Sequence, residues 1–473
     1  MKKIYRFFAV MALLLVTMTS KAQNDLALTL LPNFSYNNMY NPAIPVKSRT
    51  VIGLGISNIN FSVLNTGINY DNLFTFHNDG TVALDANKFV NSLDEHDNII
   101  GTNFSMDVFR VGKRIGRLFI DLNYRVKFDA GLHYSRDFLG FFVNGNGNYL
   151  GKDNPANLSI GADLSVYSEM ALGLQYRIND KLSIGVRPKL LVGFANLSVN
   201  NDGTKIYTDE NTYSMTADVN LNISAATALD MDDISRLSDF TTYIEDMDTL
   251  IIENLFDIEE NIGYGIDFGV SYTFNKHFGV AAGVYDLGYI TWKDTKVKQN
   301  CKENMVINDA LFNSMDDVLN MNIDFTDVYE TLVDDVWGND SIYNGGDYKT
   351  SLKTRIMLQG YYELCPLARF TAISQLYYVK EKFRPSLTLA YSGSIWRLLN
   401  FTASYTMSQY SGNSVGAGLG INFGPLNVYV VTDNVMIATK YNASTMELLT
   451  SYDNANIRLG MVLTLGNRDK KKK

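Results

Sequence analysis

The chain has 473 residues, a formal net charge of −9 and only 19% charged residues, while Tyr (29), Phe (26) and Gly (35) are abundant. A soluble protein usually carries nearer a quarter charged residues. The acidic balance excludes the basic footprint that nucleic-acid binding needs. After the N-terminus, no apolar run reaches the ~18 residues of a helical membrane span. This composition favours a sheet whose outer wall faces lipid.

The first 22 residues have the pattern of a secretory signal peptide. Basic residues precede an apolar stretch over 7–16, which at about ten residues is too short to span a bilayer as a helix. Small residues at Ser20 and Ala22 predict cleavage before Gln23. The alternative is an uncleaved N-terminal anchor, which the short apolar stretch disfavours. We therefore expect an exported protein.

Strict two-residue alternation is the main structural signal in the remaining chain. Over 118–132, apolar residues such as Leu122 occupy every second position, and charged residues such as Asp121 and Lys127 lie between them. Successive residues of a strand point to opposite faces. The stretch is also longer than an ordinary globular strand. It predicts a strand with one face toward lipid and the other toward a polar interior.

The same alternation recurs often enough to close a barrel. Fourteen strands are predicted, at 49–61, 101–111, 117–132, 168–178, 182–198, 261–274, 278–291, 351–364, 370–379, 384–393, 399–408, 414–423, 427–437 and 455–466. Short turns alternate with long loops, as in bacterial transmembrane barrels, whose strand number is even. The fold class is therefore all-β, a transmembrane antiparallel β-barrel of about 14 strands over 49–466. A basic periplasmic tail follows over 467–473.

The long loops carry helical rather than strand patterns. Apolar residues recur at three-to-four spacing over 81–95, 229–258 and 306–336, and the last two are strongly acidic. Such loops could collect divalent cations, or they could form a solvated, repelling surface. The segment 211–225 also alternates, but counting it would put the turn at 275–277 on the wrong side. We therefore place it in an external hairpin or a folded-in element.

A lumen of this width must hold something besides the side chains of the wall, because eight strands already fill a barrel with side chains alone. The candidates are the helical loops and the segment 23–48, a periplasmic N-terminal segment or plug. Charged residues on the inward parity are predicted to line the lumen: Arg125, Lys127, Asp129, Glu169, Arg187, Lys189, Asp267, Lys353, Arg355 and Arg458. They form either an internal salt-bridge lattice or a basic track for an anionic or amphipathic solute.

The sequence predicts no catalytic, cofactor or metal site. His133 shares a strand face with Ser135 and Asp137, but no Gly-x-Ser-x-Gly element accompanies them. The cysteines Cys301 and Cys365 fall on opposite sides of the predicted barrel, so no disulfide is expected. Aromatic residues near strand ends are candidates for a membrane girdle: Tyr176, Tyr264, Tyr361, Tyr391, Trp396 and Tyr429.

A short motif carries a resemblance to known barrels. Tyr40-Asn41-Pro42-Ala43 stands just before the alternating strand Thr50–Gly55. In this the chain resembles a family of Bacteroidota-type outer-membrane barrels of unknown function. More distantly, it is similar to barrels of type IX secretion and to the fourteen-stranded long-chain fatty-acid transporters. The resemblance implies an outer-membrane location and an N-terminal plug containing Asn41, Pro42 and Ala43.

Two functional hypotheses follow. The first is a passive, porin-like channel or transporter for small hydrophobic or amphipathic solutes. The second is a non-transporting scaffold or docking barrel of a surface or type IX secretion-like assembly. The expected partners are outer-membrane lipid and lipopolysaccharide, a hydrophobic ligand under the first hypothesis and an assembly partner under the second. An outer-membrane enzyme is not expected.

Overall fold

The fold is that of a computed structural model, which describes residues 26–466 except 56, 68–72, 77–80, 97, 202, 213, 228–260, 308–342, 380–381, 409–412, 436–437, 443–446 and 451–453. The predicted signal peptide and basic tail lie outside these residues. The predicted helical loop 229–258 also lies outside them, as does most of the one predicted at 306–336.

Strands make up most of the described chain. In order they are β1 (Thr50–Leu54), β2 (Ile59–Asn65), β3 (Phe74–Phe76), β4 (Val82–Leu84), β5 (Asn98–Ile115), β6 (Leu118–Tyr134), β7 (Ala156–Asn157), β8 (Ile160–Arg177), β9 (Leu182–Asn200), β10 (Lys205–Thr208), β11 (Met215–Thr227), β12 (Asn261–Thr273), β13 (Phe278–Ile307), β14 (Tyr343–Ser351), β15 (Arg355–Cys365), β16 (Ala368–Val379), β17 (Lys382–Ile395), β18 (Leu399–Ser408), β19 (Ser414–Phe423), β20 (Leu426–Thr432), β21 (Ala438–Asn442), β22 (Glu447–Thr450) and β23 (Asn454–Leu465).

The helices of the described residues are short. They are α1 (Ala27–Leu30), α2 (Asn37–Tyr40), α3 (Ala86–Ser92) and α4 (Arg136–Asn144), the last followed by a 3-10 turn at Gly145–Asn148. None of these helices is long and apolar enough to cross a membrane. The helix predicted within 81–95 is confirmed as α3. Its first turn is capped by Asp85, whose carboxylate accepts bonds from the Lys88 amide and the Thr75 hydroxyl. These bonds lower the pKa of the Asp85 carboxyl.

The main sheet closes on itself. The first barrel strand consists of β1 and β2, which both pair with β5 on one side and with β23 on the other. From β5 the antiparallel ladder runs through β6, β8, β9, β12, β13, β15, β16, β17, β18, β19 and β20 to β23. Counting β1 and β2 as one strand gives fourteen, so the predicted antiparallel barrel is confirmed.

The outer girth of the barrel is apolar. Leu122 and Phe268 are 38% and 47% exposed, although both lie in the middle of long strands. Every strand has two neighbours, so the backbone hydrogen bonds of the wall are satisfied. The exposed apolar side chains suit a hydrocarbon environment. Exposed aromatic residues lie near the short turns, among them Phe274, Phe370 and Trp396. The chain is thus a transmembrane barrel with an aromatic girdle at the end of the barrel that carries the short turns, the turn end.

Two strand predictions and one girdle prediction need correction. The strand predicted at 49–61 is interrupted after Leu54, where Gly55 has φ +58, and it resumes at Ile59. The strand predicted to end at 291 continues as β13 to Ile307, because β11 and β14 extend the ladder beside it. The predicted girdle residue Tyr429 is buried and donates to the Ser57 carbonyl. The outward positions of β20 are Val428 and Val430.

The segment predicted as an external element at 211–225 forms a hairpin with β10 and joins the outer part of the sheet. Thr227, the last residue of β11, pairs with Ala195 of β9. Two residues earlier in β9, Gly193 pairs with Asn261, the first residue of β12. β11 therefore occupies the same position in the sheet as β12, between β9 and β13, but beyond the end of β12. The barrel thus keeps its even strand number.

The N-terminal segment, residues 26–48, packs against inward-facing side chains of the wall. Asp433 accepts bonds from the amides of Leu26 and Ala27 at 3.0 and 2.7 Å. Arg110 donates to the Ser35 carbonyl and to the Asn38 side chain. The apolar residues of the segment are buried with side chains of the wall in one cluster: Ala27, Leu28, Leu31, Phe34, Tyr36, Met39, Tyr40, Val46, Val51, Phe119, Tyr429, Val431 and Val462. The segment therefore occupies the lumen toward the turn end.

Candidate functional site

The motif Asn41-Pro42-Ala43 lies against a row of glycines in the wall. Gly185 of β9 and Gly269 of β12 are paired and contact the motif, whereas Gly283 of β13 pairs with Gly269 but would meet Tyr285 and Phe268 instead. A Cβ at Gly185 would lie 2.2 Å from the Pro42 carbonyl carbon, and one at Gly269 would lie 2.1 Å from Asn41 Oδ1. Only glycine permits so close an approach of two backbones. The motif is recognisable in the sequence, but the glycines that receive it were not predicted.

Hydrogen bonds hold the motif in this position. Asn41 Nδ2 donates to the Ala282 carbonyl at 3.3 Å, and Asn41 Oδ1 accepts from the Ala43 amide at 2.9 Å. The Ser271 hydroxyl donates to the Ala43 carbonyl at 3.2 Å. The asparagine thus both forms the turn and binds the wall, which explains why this residue type stands at the start of the motif.

The structure brings all ten residues of the predicted lumen lining around one cavity of about 130 Å³, the inner cavity. Asp286, Tyr40, Tyr167, Tyr377 and Asn456 also line it. Its lining contains seven cationic side chains and four carboxylates. Two further buried carboxylates stand behind the lining, where Asp107 pairs with Arg125 and Asp121 pairs with Arg187 and Arg110. The buried charge therefore remains positive in excess.

Lysines match the four carboxylates of the lining. Lys189 Nζ lies 2.6 Å from Asp286 Oδ1, 2.8 Å from Asp267 Oδ1 and 3.6 Å from Glu169 Oε2. Lys127 Nζ lies 3.0 Å from Glu169 Oε2, and Lys353 Nζ lies 2.8 Å from Asp129 Oδ1. Buried charges are tolerated when they are paired in this way. The predicted salt-bridge lattice is therefore present in the wall.

β-Bulges aim side chains at the inner cavity. Asp286 adopts φ +54, and the register of β12 with β13 shifts between Ile266 and Phe268. The backbone turn brings Asp286 inward, although alternation from Val284 would place it on the lipid face. The register of β8 with β9 shifts beside Tyr167, and that of β5 with β6 shifts beside Asp107. Bulges are over-represented beside functional sites, where they redirect side chains.

Two arginines of the lining lie over the ring of Tyr40, which belongs to the N-terminal segment. The guanidinium carbons of Arg458 and Arg355 lie 5.3 and 5.8 Å from the centroid of the Tyr40 ring, which is the range of cation–π contacts. Tyr40 is only 6% exposed. Among the residues that the structure describes, none forms a hydrogen bond with its hydroxyl oxygen. A buried hydroxyl of this kind is uncommon and calls for an explanation.

A second, wider cavity of about 510 Å³, the outer cavity, adjoins the first. The two share Asn103, Asp129, Tyr167 and Lys353 among their lining residues. The outer cavity has apolar walls at Leu64, Ile99 and Ile290, together with many small polar residues. Its volume falls within the ~300–1,000 Å³ of small-molecule sites. The Asp129–Lys353 ion pair stands where the cavities meet.

The histidine considered as a catalytic candidate has other neighbours. His133 Nε2 lies 3.4 Å from Asp163 Oδ2. Ser135 instead caps α4 and donates to the Asn157 carbonyl. Asp137 accepts from Tyr149 and from the Asn157 amide. Within the described part of the chain, no group of three or more His, Cys, Asp or Glu residues is arranged to hold a metal ion.

Fold and site together define the class of this protein: a transmembrane antiparallel β-barrel with a charged cavity in its lumen. The chain belongs to a family of unknown function, DUF5723, whose model matches residues 42–433. The predicted resemblance to a family of unknown function is thereby confirmed. No curated protein matches the chain.

Several solved structures are similar in fold at low identity. The toluene transporter TodX of Pseudomonas putida is 8% identical with a TM-score of 0.41, covering 94% of this chain and 98% of its own. A FadL homologue of Pseudomonas aeruginosa is 9% identical with a TM-score of 0.43, covering 95% and 99%. The toluene transporter TbuX of Ralstonia pickettii is 9% identical with a TM-score of 0.41, covering 91% and 94%. At these scores the likenesses carry no argument about substrates.

Proposed function

We propose that this barrel resides in a bacterial outer membrane and admits small amphipathic solutes passively into its lumen. The observation that supports this most is the pair of adjoining cavities. The outer cavity offers apolar and polar walls in one space, and the inner cavity beneath it offers a charged lining. A solute with an apolar body and a polar end matches this sequence of environments.

The outer wall supports the proposed location. Its exposed apolar side chains need hydrocarbon around them, so outer-membrane lipid is the direct partner that we propose. Lipopolysaccharide would contact the external loops. Enzymatic activity does not enter the proposal, because the His133 neighbourhood offers no nucleophile held by a base.

Flux through reconstituted vesicles tests the proposed function. Gly131 lines the outer cavity, and a Cβ there would meet only His133 Nε2, at 3.7 Å. A Gly131→Trp side chain should therefore fill that cavity and reduce the uptake of hexanoate to the level of protein-free vesicles. Uptake is followed by the swelling of proteoliposomes in an isotonic hexanoate solution.

The next residue supplies a matched control. Leu132 faces outward and is exposed, so Leu132→Trp places the same ring in the lipid and should leave uptake unchanged. Wild-type uptake no faster than that of protein-free vesicles would contradict the proposal.

That negative outcome would favour the second candidate, a non-transporting docking barrel of a surface or secretion assembly. A specific feature supports it, since the N-terminal segment occupies the turn end of the lumen with its residues from Leu26 to Tyr40 largely buried. A lumen filled at one end suits a rigid scaffold as well as a regulated channel. Flux separates the two, because a scaffold needs none.

A further inference from the structure

We propose that one half of the rim at the turn end binds the head groups of anionic phospholipids in the adjacent membrane leaflet. The residues concerned, here named the basic arc, are all exposed: Arg49, Lys113, Arg117, Lys181 and Lys276. Such binding requires the outer wall to lie in lipid, as the fold defines, and is independent of any passage of solute through the lumen.

The basic arc follows consecutive strands of the wall. Arg49 directly precedes β1, and Lys113 lies in β5. Arg117, Lys181 and Lys276 belong to the turns that lead into β6, β9 and β13. The ladder runs through these strands without interruption, from β1 through β5, β6, β8, β9 and β12 to β13. The five cations therefore occupy one half of the fourteen-stranded rim.

Hydrogen bonds between neighbouring turns hold the arc together. Arg117 Nη1 donates to the Ile178 carbonyl at 3.0 Å, which joins the turn after β5 to the turn after β8. The Lys181 carbonyl in turn accepts from the Thr273 amide at 2.8 Å, which joins the turn after β8 to β12. Neighbouring strands lie about 5 Å apart. The cations are thus placed side by side on a fixed scaffold.

Charge distinguishes this half of the rim from the other. Among the described residues, the turns of the basic half expose one carboxylate, Asp180, against the five cations of the arc. On the other half, the ends of β15, β17 and β19 and the turns after them expose large apolar side chains: Leu364, Leu367, Trp396, Leu398 and Phe423. Clusters of about four to eight Lys and Arg residues beside a membrane attract anionic lipids.

The position of the arc at the edge of the lipid-facing wall favours a lipid as the partner. Lys113 lies on the outward face of β5, between the exposed side chains of Val111 and Ile115. Lys276 follows the exposed Phe274 by two residues. A lysine can lay its apolar stem on such a wall and extend its ammonium to the head groups. The chains of a bound lipid would cover the apolar residues beside the cations, whereas a soluble acidic protein would leave them uncovered.

The C-terminal segment is attached to the barrel beside the same arc. The Arg49 amide donates to the carbonyls of Leu465 and Gly466 at 2.9 and 3.1 Å. Gly466 is the last described residue, and the seven residues that follow it contain five cations and one aspartate. The most basic stretch of the chain therefore begins next to the basic arc.

Quenching of a fluorophore by labelled lipids tests this assignment. The full chain, with both native cysteines replaced by serine, carries the fluorophore at Ile178→Cys beside the arc or at Leu398→Cys on the other half. Both residues are exposed. The vesicles are phosphatidylcholine with the same low fraction of doxyl-labelled phosphatidylglycerol or doxyl-labelled phosphatidylcholine. At Ile178→Cys the labelled phosphatidylglycerol should quench at least about twofold more strongly than the labelled phosphatidylcholine. At Leu398→Cys the two lipids should quench equally.

Removal of charge from the arc should abolish the preference. Replacing Lys113, Arg117 and Lys181 together with glutamine should bring the quenching ratio at Ile178→Cys to about one. The unfolding midpoint should not change, because all three side chains are exposed. About 1 M salt, which shortens the Debye length to about 3 Å, should also reduce the preference in the parent.

Three exposed lysines at the opposite end of the barrel provide the matched control. Glutamine is placed together at Lys88, Lys152 and Lys205. This variant loses the same number of positive charges and should keep the parental quenching ratio. A ratio that falls equally in both triple variants would show an effect of net charge alone and would overturn the arc as a site.

Other outcomes would also overturn the proposal. Equal quenching by the two lipids at Ile178→Cys would reject an anionic-lipid site, and saturable binding of soluble polyglutamate to the same vesicles would then assign the arc to an acidic protein. A preference that vanishes on deletion of 467–473 but survives the three substitutions in the arc would assign the lipid to the tail. Swelling of the proteoliposomes in hexanoate is measured separately, so failure of the lipid site and failure of the transport function are distinguishable.

Discussion

Replacing Lys189 with methionine should lower the free energy of unfolding of the barrel by about 3–5 kcal/mol, the range seen when one partner of a buried ion pair is removed. The Lys189 side chain is 5% exposed and its ammonium contacts Asp286, Asp267 and Glu169. Methionine keeps most of the volume but removes the charge, so the carboxylates would lose their shared counter-ion. Equilibrium unfolding in urea, followed by circular dichroism in detergent, measures the loss.

Lys353→Met is the matched control for this experiment. Lys353 also forms a 2.8 Å ion pair, with Asp129, but its side chain is 48% exposed. Water can solvate both charges after the substitution, so a loss of about 1 kcal/mol or less is expected. Adding Asp286→Asn to Lys189→Met should restore part of the stability, because one buried negative charge then disappears. Equal losses for the two lysine variants would contradict a buried lattice centred on Lys189.

Alternation predicted the barrel well because lipid and lumen impose opposite demands on neighbouring residues. Leu122 and Phe268 could face nothing but hydrocarbon at that spacing, and Arg125, Lys127 and Arg187 could face nothing but the lumen. The ten candidate residues come from six different strands and from the link between β14 and β15, yet they line one cavity. Strand parity alone placed them on the inner wall, since a closed sheet turns all inward positions toward the same space.

The sequence could not place residues whose position depends on a bulge or on register. Asp286 escaped prediction because a left-handed residue reverses the parity of β13 at that point. One signal was present, since an aspartate on the lipid face of a barrel strand is destabilising and should have suggested a break in the pattern. Tyr429 was misplaced because its ring suggested a girdle, whereas the valines on either side of it indicate the correct face.

The sequence also could not predict in detail how the N-terminal segment docks against the wall. The motif Asn41-Pro42-Ala43 was visible, but its receptor is formed by Gly185 of β9 and Gly269 of β12, which lie far apart in the chain. Gly185 and Gly269 come together only when β9 and β12 pair in their actual register. A glycine on the inward parity is an ambiguous signal by itself, since it also suits a bulge.

Substituting Gly185 with alanine should release the N-terminal segment from the wall. The new methyl carbon would lie 2.2 Å from the Pro42 carbonyl carbon and 2.6 Å from the Ala43 nitrogen, and both are backbone atoms that cannot rotate away. Overpacking of this kind typically destabilises by about 1–3 kcal/mol. Because the wall strand is paired on both sides, the segment should yield first. The fraction of molecules in which the segment is detached from the wall should therefore increase about tenfold or more.

The rate of maleimide labelling at Ala43→Cys, in a chain whose two native cysteines are replaced by serine, measures this opening. Ala43 is fully buried, so labelling should be slow in the parent and at least about tenfold faster with Gly185→Ala. Gly360→Ala is the matched control, because a Cβ at this strand glycine meets nothing within 4 Å, and labelling should keep the parental rate. Equally slow labelling in all three proteins would show that the glycine row does not hold the segment. A fast rate confined to Gly185→Ala would instead assign the row its role as the receptor of Asn41-Pro42-Ala43.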